Sequence, residues 1–193
     1  MTGPADAVDW DRRYAERDHL WRADPHEVVA SIATGLTPGR ALDVAAGEGR
    51  HAIWLAQRGW EVTAIDFSAV GLAKGEAEAR RRGLEITWVV DDITTWEAPH
   101  DYDLVLVSFM HVTADVFSTL REYVAPGGHL LVVGHARRNL TDGVGGPQDP
   151  AMLLDPDQLR AAAGDLTVLR LEEVTRETPD GTAIDIVLDA YRD

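Results

Sequence analysis

The stretch ALDVAAGEGRHAIWLAQRG, residues 41 to 59, runs from a short apolar strand through a glycine-bearing turn into an amphipathic helix. Gly47 and Gly49 allow a tight turn and let a ligand approach the backbone where a side chain would collide. The helix expected from Glu48 to about Arg58 aims its unpaired N-terminal amides at that space, and Gly59 follows as its stop. Taken alone the turn is ambiguous. Gly47-Glu48-Gly49-Arg50-His51-Ala52 also satisfies the loose dinucleotide fingerprint, which tolerates alanine at its last position.

Outward from this turn, strand-like runs alternate with helical ones. The strands are RALDVA near 40 to 45, EVTAID at 61 to 66, EITWVVD at 85 to 91, DLVLVSF at 103 to 109 and HLLVVGH at 129 to 135. Four of the five are near-continuous apolar runs, as suits strands covered on both faces of a parallel sheet. Further helices are expected from the cap Ser68 to Arg82, stopped by Gly83, and over ADVFSTLREYVA, which ends before the turn signal Pro126-Gly127-Gly128. DLTVLRLEEVTRE and AIDIVLDAYR, separated by TPDG, read as a C-terminal antiparallel hairpin with a type I or II turn. The expected fold is α/β: a Rossmann-like, doubly wound, mostly parallel seven-stranded sheet with that hairpin and helices on both faces, in a single domain over residues 1–193. Residues 1–36 read as an N-terminal helical lid segment and 136–156 as a possible substrate loop.

Composition removes several classes of function. A formal net charge of −15 repels polyanions, and the one basic run, Arg80-Arg81-Arg82, falls at a helix end where cations suit the macrodipole. No nucleic-acid partner is expected. The absence of cysteine excludes disulfides, thiolate metal sites and cysteine nucleophiles, and no metal site is expected. No run approaches the roughly 20 apolar residues that span a bilayer, and the polar, acidic N-terminal segment lacks the pattern of a secretory signal. A cytoplasmic protein without a membrane partner is therefore expected, in which Asn139-Leu140-Thr141 is a chance match to a glycosylation sequon. Oligomeric state is not written in the pattern.

Three acids mark one edge of the expected sheet. Asp43 lies near the end of the first strand, Asp66 ends the second and Asp92 follows the third, on the side where open α/β sheets bind ligands. Asp66 is placed to accept hydrogen bonds from ribose hydroxyls. Asp91-Asp92-Ile93 offers an acceptor for an exocyclic adenine amine and a flat apolar contact for its ring. Together they describe a ribosyl-adenine ligand without choosing among such ligands. Glu48 makes the choice: it puts an anion inside the turn where a pyrophosphate would meet like charge, whereas S-adenosylmethionine presents an ammonium and a sulfonium there.

At this point LDVAAGEGRHAIWLAQRGWEVTAIDFS resembles the first two motifs of the class I S-adenosylmethionine-dependent methyltransferases. The resemblance implies that Gly47 and Gly49 line the methionine moiety, that Asp66 binds the ribose and that Phe67 flanks the adenine. Asp92 and Ile93 match the family's adenine-binding pair, and Asp43, Ala45 and Ser108 complete the implied cofactor set with Trp21. The terminal hairpin agrees with the family's sixth and seventh strands. Ala45 stands where the family has its first glycine. LDVAAGEGR and the segment Trp10-Asp11-Arg12-Arg13-Tyr14 are similar to the small tellurite-resistance-type subgroup, in which alanine at that position is common.

Methyl transfer from a sulfonium asks the protein to align an acceptor, exclude water and, where needed, remove a proton, so few obligatory catalytic residues are expected. His111 in SFMHV and His135 in VVGHARR are the candidate general bases. Tyr14 and His111 are candidate acceptor contacts, and Trp21 suits a cation-friendly pocket for the sulfonium. A hydrogen-bonded loop histidine or a packed core aromatic is the competing reading of each. The expected function is S-adenosylmethionine-dependent methyl transfer to a small-molecule acceptor. The alternatives are a nicotinamide-dinucleotide oxidoreductase and a non-catalytic S-adenosylmethionine-binding protein.

Overall fold

Arg40–Val44 forms β1, with Ala41, Leu42 and Val44 fully buried, each large apolar side chain contributing about 1.5–3 kcal/mol of transfer free energy. The structure is a computed structural model that describes residues 7–19, 24–110 and 115–193. The chain divides into a first unit, residues 1–103, and a second, residues 104–193. In the first, β1 pairs in parallel with β2 (Glu61–Asp66) and β2 with β3 (Thr87–Val90). The register sets Asp43 opposite Ala64 and Asp66 opposite Val90. Beyond the strand ends the ladder continues, Ala46 N–H donating to the Ile65 carbonyl at 3.1 Å and Asp91 N–H to the Asp66 carbonyl at 3.2 Å. That register brings the three acids to one edge.

Among the described residues four helices complete this unit: α1 (Ala7–Ala15), α2 (Glu27–Thr34), α3 (Arg50–Ala56) and α4 (Ala69–Arg81). Helix α4 packs on β2, β3 and α1. Its start follows the sequence expectation, the Ser68 hydroxyl accepting the Gly71 N–H at 3.1 Å. Helix α3 starts two residues later than its pattern suggests, because Gly49 takes a left-handed conformation and serves as the cap.

The second unit takes up β4 (Tyr102–Ser108), whose first two residues close the first, and continues through α5 (Asp115–Leu120), β5 (Val124–His135), α6 (Asn139–Asp142), α7 (Pro156–Ala163), β6 (Thr167–Thr178) and β7 (Gly181–Tyr191). Strand β7 lies between β5 and β6 and is antiparallel to both, as the hairpin pattern requires. Two expectations are corrected in detail. Pro126-Gly127-Gly128, read as a turn, lies inside β5, because Gly127 N–H donates to the Arg192 carbonyl and Arg192 N–H to that of Gly128. The helix before it is correspondingly shorter, since Val124 and Ala125 belong to the strand. The segment 136–156 carries α6 and a short 3-10 turn at Pro150–Met152. Buried Asn139 pins it, its Oδ1 accepting the Ile184 N–H at 2.7 Å and its Nδ2 donating to the Gly145 carbonyl at 2.9 Å. With seven strands, a mixed sheet and a C-terminal antiparallel hairpin, the chain has the Rossmann-like fold expected of it. Among the described residues no helix is long and apolar enough to cross a membrane.

Candidate functional site

Directly after β1 the backbone leaves extended geometry. Ala45 has φ 56°, Gly47 56° and Gly49 72°, all left-handed, a conformation that costs a non-glycine residue about 1–2 kcal/mol. Asp43, two residues earlier, is 1% exposed. Its Oδ2 accepts the Ala52 N–H at 2.9 Å, and its Oδ1 is buried with no hydrogen-bond partner among the described residues. Burial pushes its carboxyl up to about 7, against the Ala52 amide and the field of Arg50, with Asp66 adding to the rise. A carboxyl in that condition favours an incoming cation, which stabilises its charged form.

Asp66 is held differently. Its Oδ2 accepts the Gly47 N–H and its Oδ1 the Ser68 N–H, both at 2.8 Å, so the carboxylate ties the glycine turn to the end of β2. Burial again raises its pKa first, opposed by the two amides, with Asp11 adding to the rise. Each oxygen keeps a further lone pair with which to accept a hydroxyl. On the third strand end, the Asp92 Oδ1 accepts the Thr94 N–H at 2.9 Å and its hydroxyl at 2.7 Å, while Ile93 is buried. Phe67, beside Asp66, is 38% exposed, an apolar ring open to a planar partner.

Helix α1 is fastened over this turn from its middle and from its C-terminal end. Asp11 accepts the Ser68 hydroxyl at 2.6 Å and the Val70 N–H at 3.1 Å, joining α1 to the start of α4. Lys74 of α4 donates to the carbonyls of Tyr14 and Arg17 at the C-terminal end. Between them Tyr14 is buried, and a side chain on Gly47 would strike its hydroxyl. A side chain on Gly49 would strike the Trp88 ring of β3 in the same way. The two glycines are therefore demanded by the protein's own packing on the side their missing side chains would occupy. Glu48 departs from the sequence argument: its carboxylate lies 3.4 Å from the Lys74 ammonium, with 8% of the side chain exposed. Its charge is partnered within the protein. Lys74 and the link from Asp11 to Ser68 were missed because the partners lie about 57 to 60 residues apart.

In the second unit, Ser108 ends β4, 8% exposed, and its hydroxyl has no partner among the described residues. Phe109 follows with φ 55°, its N–H donating to the Val133 carbonyl at 2.7 Å. His135 closes β5 directly opposite Asp185 of β7, its Nδ1 3.0 Å from the Asp185 Oδ1. Arg176 of β6 donates from Nε to the other oxygen of Asp185 at 2.7 Å. Neither Asp185 nor Arg176 was singled out from the sequence, since each sits in an ordinary alternating hairpin strand. Trp21 and His111 lie outside the described residues.

The comparisons with known proteins agree with this geometry. Residues 41–128 match the family described as "Methyltransferase domain". An uncharacterized methyltransferase of Mycobacterium tuberculosis is 33% identical over 133 residues, 66% of each chain. The probable S-adenosyl-L-methionine-dependent methyltransferase TehB of Haemophilus influenzae is 25% identical over 114 residues, 56% of this chain and 40% of that one. The chain thus spans about two fifths of the length of the curated relatives it matches first. The crystal structure of Haemophilus influenzae TehB superposes with a TM-score of 0.76 at 20% identity, covering 95% of this chain and 66% of that one.

Proposed function

From the premise that the chain belongs to the class I S-adenosylmethionine-dependent methyltransferases, we propose that it transfers a methyl group from that cofactor to a small-molecule acceptor in the cytoplasm. S-adenosylmethionine, when bound, supplies an electrophilic methyl carbon on a sulfonium. The observation that carries the reading is the pair of carboxyls at one strand edge, one with a single oxygen left without a partner among the described residues and one braced by two amides. Asp43 meets the cofactor's ammonium, for which its unpartnered Oδ1 is suited. Asp66 accepts the ribose hydroxyls. Asp92, Ile93 and Phe67 hold the adenine, and the backbone of Ala45, Gly47 and Gly49 shapes the methionine end.

Ser108 and Trp21 complete the cofactor contacts, and Tyr14 and His111 contact the acceptor. His135 and His111 are the groups able to take an acceptor proton near neutral pH. Support for a small acceptor comes from the net charge of −15, which disfavours a polyanionic substrate. Calorimetric titration with S-adenosylmethionine and S-adenosylhomocysteine tests the reading: both bind if it holds, and no heat or stabilisation from either overturns it. Formation of S-adenosylhomocysteine across a panel of thiols, phenols, amines and carboxylates then identifies the acceptor class.

A further inference from the structure

Both oxygens of the Asp66 carboxylate are reached from α1, by two routes within the first unit. The first runs through Ser68. Asp11 of α1 accepts the Ser68 hydroxyl at 2.6 Å and the Val70 N–H at 3.1 Å, and the Ser68 N–H donates to the Asp66 Oδ1 at 2.8 Å. The second runs through Gly47. Its N–H donates to the Asp66 Oδ2 at 2.8 Å, and its missing side chain leaves the room that the Tyr14 hydroxyl of α1 fills. The Tyr14 ring lies against Gly71 as well, where an added side chain would come within 3.0 Å of it. The Gly71 N–H donates in turn to the Ser68 hydroxyl at 3.1 Å, so the two routes close on each other.

This arrangement does more than fasten a helix. A carboxylate that is to receive ribose hydroxyls must keep its plane and direction, and a contacting group is only as precise as the shell that supports it. Ser68 is fully buried, and its hydroxyl donates to Asp11 while it accepts from Gly71. Undocking α1 therefore disturbs the residue whose amide holds Asp66, since hydrogen bonds in one buried network act together. Asp11 also bears on Asp66 through charge, adding to a rise in pKa that burial begins and the two amides oppose. We propose that Asp11 is a positioning residue: by docking α1 on Ser68 it fixes the Asp66 carboxylate for the ribose, so that docking of α1 and binding of the cofactor favour each other. The proposal rests on the reading of Asp66 as the ribose acceptor. Reciprocity follows: the factor that docked α1 adds to cofactor affinity is the factor that bound cofactor adds to docking.

Limited trypsin cleavage at Arg12, Arg13 and Arg17, read by peptide mass, reports the undocked fraction of α1 when docking is fast relative to cleavage. Without ligand, Asp66→Ala is expected to quicken this cleavage about fivefold. A wild-type rate in that variant overturns the proposal, whether or not any cofactor binds. Calorimetry with S-adenosylhomocysteine supplies the other half. Asp11→Ala is expected to weaken binding about fivefold to tenfold, and Asp11→Asn, which keeps an acceptor oxygen for Ser68 and Val70, to stay within about twofold of wild type. Combined with Asp66→Ala, Asp11→Ala is expected to cost nothing beyond the loss from Asp66→Ala, because Asp11 acts through that carboxylate. Losses that add overturn the proposal. Saturating S-adenosylhomocysteine is expected to slow cleavage of α1 in the wild type, and an unchanged rate overturns the proposal too. Should either alanine variant not fold, Ser68→Ala stands in for Asp11→Ala and Asp66→Asn for Asp66→Ala. A wild type that binds no S-adenosylhomocysteine overturns the methyltransferase reading instead, and the cleavage comparison without ligand still decides whether α1 and Asp66 are coupled.

Discussion

Asp43 in the first unit and Asp185 in the second are both buried carboxyls at the edge of a strand, and they are satisfied in opposite ways. Asp43 has one backbone amide on one oxygen and no partner on the other among the described residues. Asp185 has Arg176 on one side and His135 on the other. A buried carboxylate is costly unless a cation or several donors meet it. Asp185 finds its cation, Arg176, within the chain. Asp43 finds none in contact among the described residues, as the proposed meeting with a ligand's cation requires. Each unit also carries a left-handed non-glycine residue just past a strand end: Ala45, two residues after Asp43, and Phe109, whose ring lies 5.0 Å from that of His135.

The largest expected effect comes from neutralising Asp43. The folded Asp43 carboxyl titrates at about 7 against an ordinary 3.8, so the folded chain holds its proton where the unfolded chain has lost it. Stability from this group is therefore full below about 3.8 and is lost as pH rises through 7. Asp43→Asn removes that slope. Urea unfolding should show the variant gaining roughly 2–4 kcal/mol relative to wild type between pH 4 and pH 8. His51 leans the other way, since burial holds its pKa well below 6.5 and stability falls as the unfolded chain takes up that proton at lower pH. The variant leaves this second slope in place. An Asp43→Asn curve parallel to the wild type would mean that Asp43 is as well met as Asp185, and the contrast would fail.

Asp66→Ala removes a charged acceptor from the proposed ribose position and should weaken S-adenosylhomocysteine binding by about 1.5–3 kcal/mol, measured by calorimetry. Affinity within twofold of the wild type would take Asp66 out of the site. A smaller effect is expected of Lys74→Ala. It leaves the carbonyls of Tyr14 and Arg17 without their donor and Glu48 without its cation, at a cost of about 1 kcal/mol given partial exposure. Faster tryptic cleavage at Arg12, Arg13 and Arg17 would mark the release of α1, and an unchanged cleavage rate would show that Asp11 and Tyr14 hold it alone.

The two regions also differ in how far the sequence announced them. Asp43, Asp66 and Asp92 were legible because parallel strands end in register and each acid sits at or just past a strand end, so alternation of elements alone gathers them. The glycine turn was legible as a turn, yet the packing of Tyr14 and Trp88 that requires its glycines was not. Glu48 was misread for a related reason: its partner Lys74 lies on α4, and no local pattern joins the two. His135 could be named from its place after a strand. Asp185 and Arg176 could not, because antiparallel register, and not chain spacing, puts them beside it. Pro126-Gly127-Gly128 reads as a turn locally and becomes strand only because Arg192 pairs with it.

The smallest effect separates the two strained corners. At Ala45 the left-handed backbone carries only a methyl group, so Ala45→Gly should relieve about 1 kcal/mol of strain, of which the greater freedom of the unfolded chain offsets roughly half. A rise in Tm of a degree or two, with S-adenosylhomocysteine affinity held, is the expected result. At Phe109 the same φ carries a ring that touches both His135 and Arg176, so Phe109→Gly relieves the same backbone and lowers stability through the lost contacts. If the two exchanges moved Tm in the same direction, backbone strain would outweigh side-chain contacts at both corners. The left-handed turn after β4 would then lose its standing as a feature held in place by the contacts of the Phe109 ring.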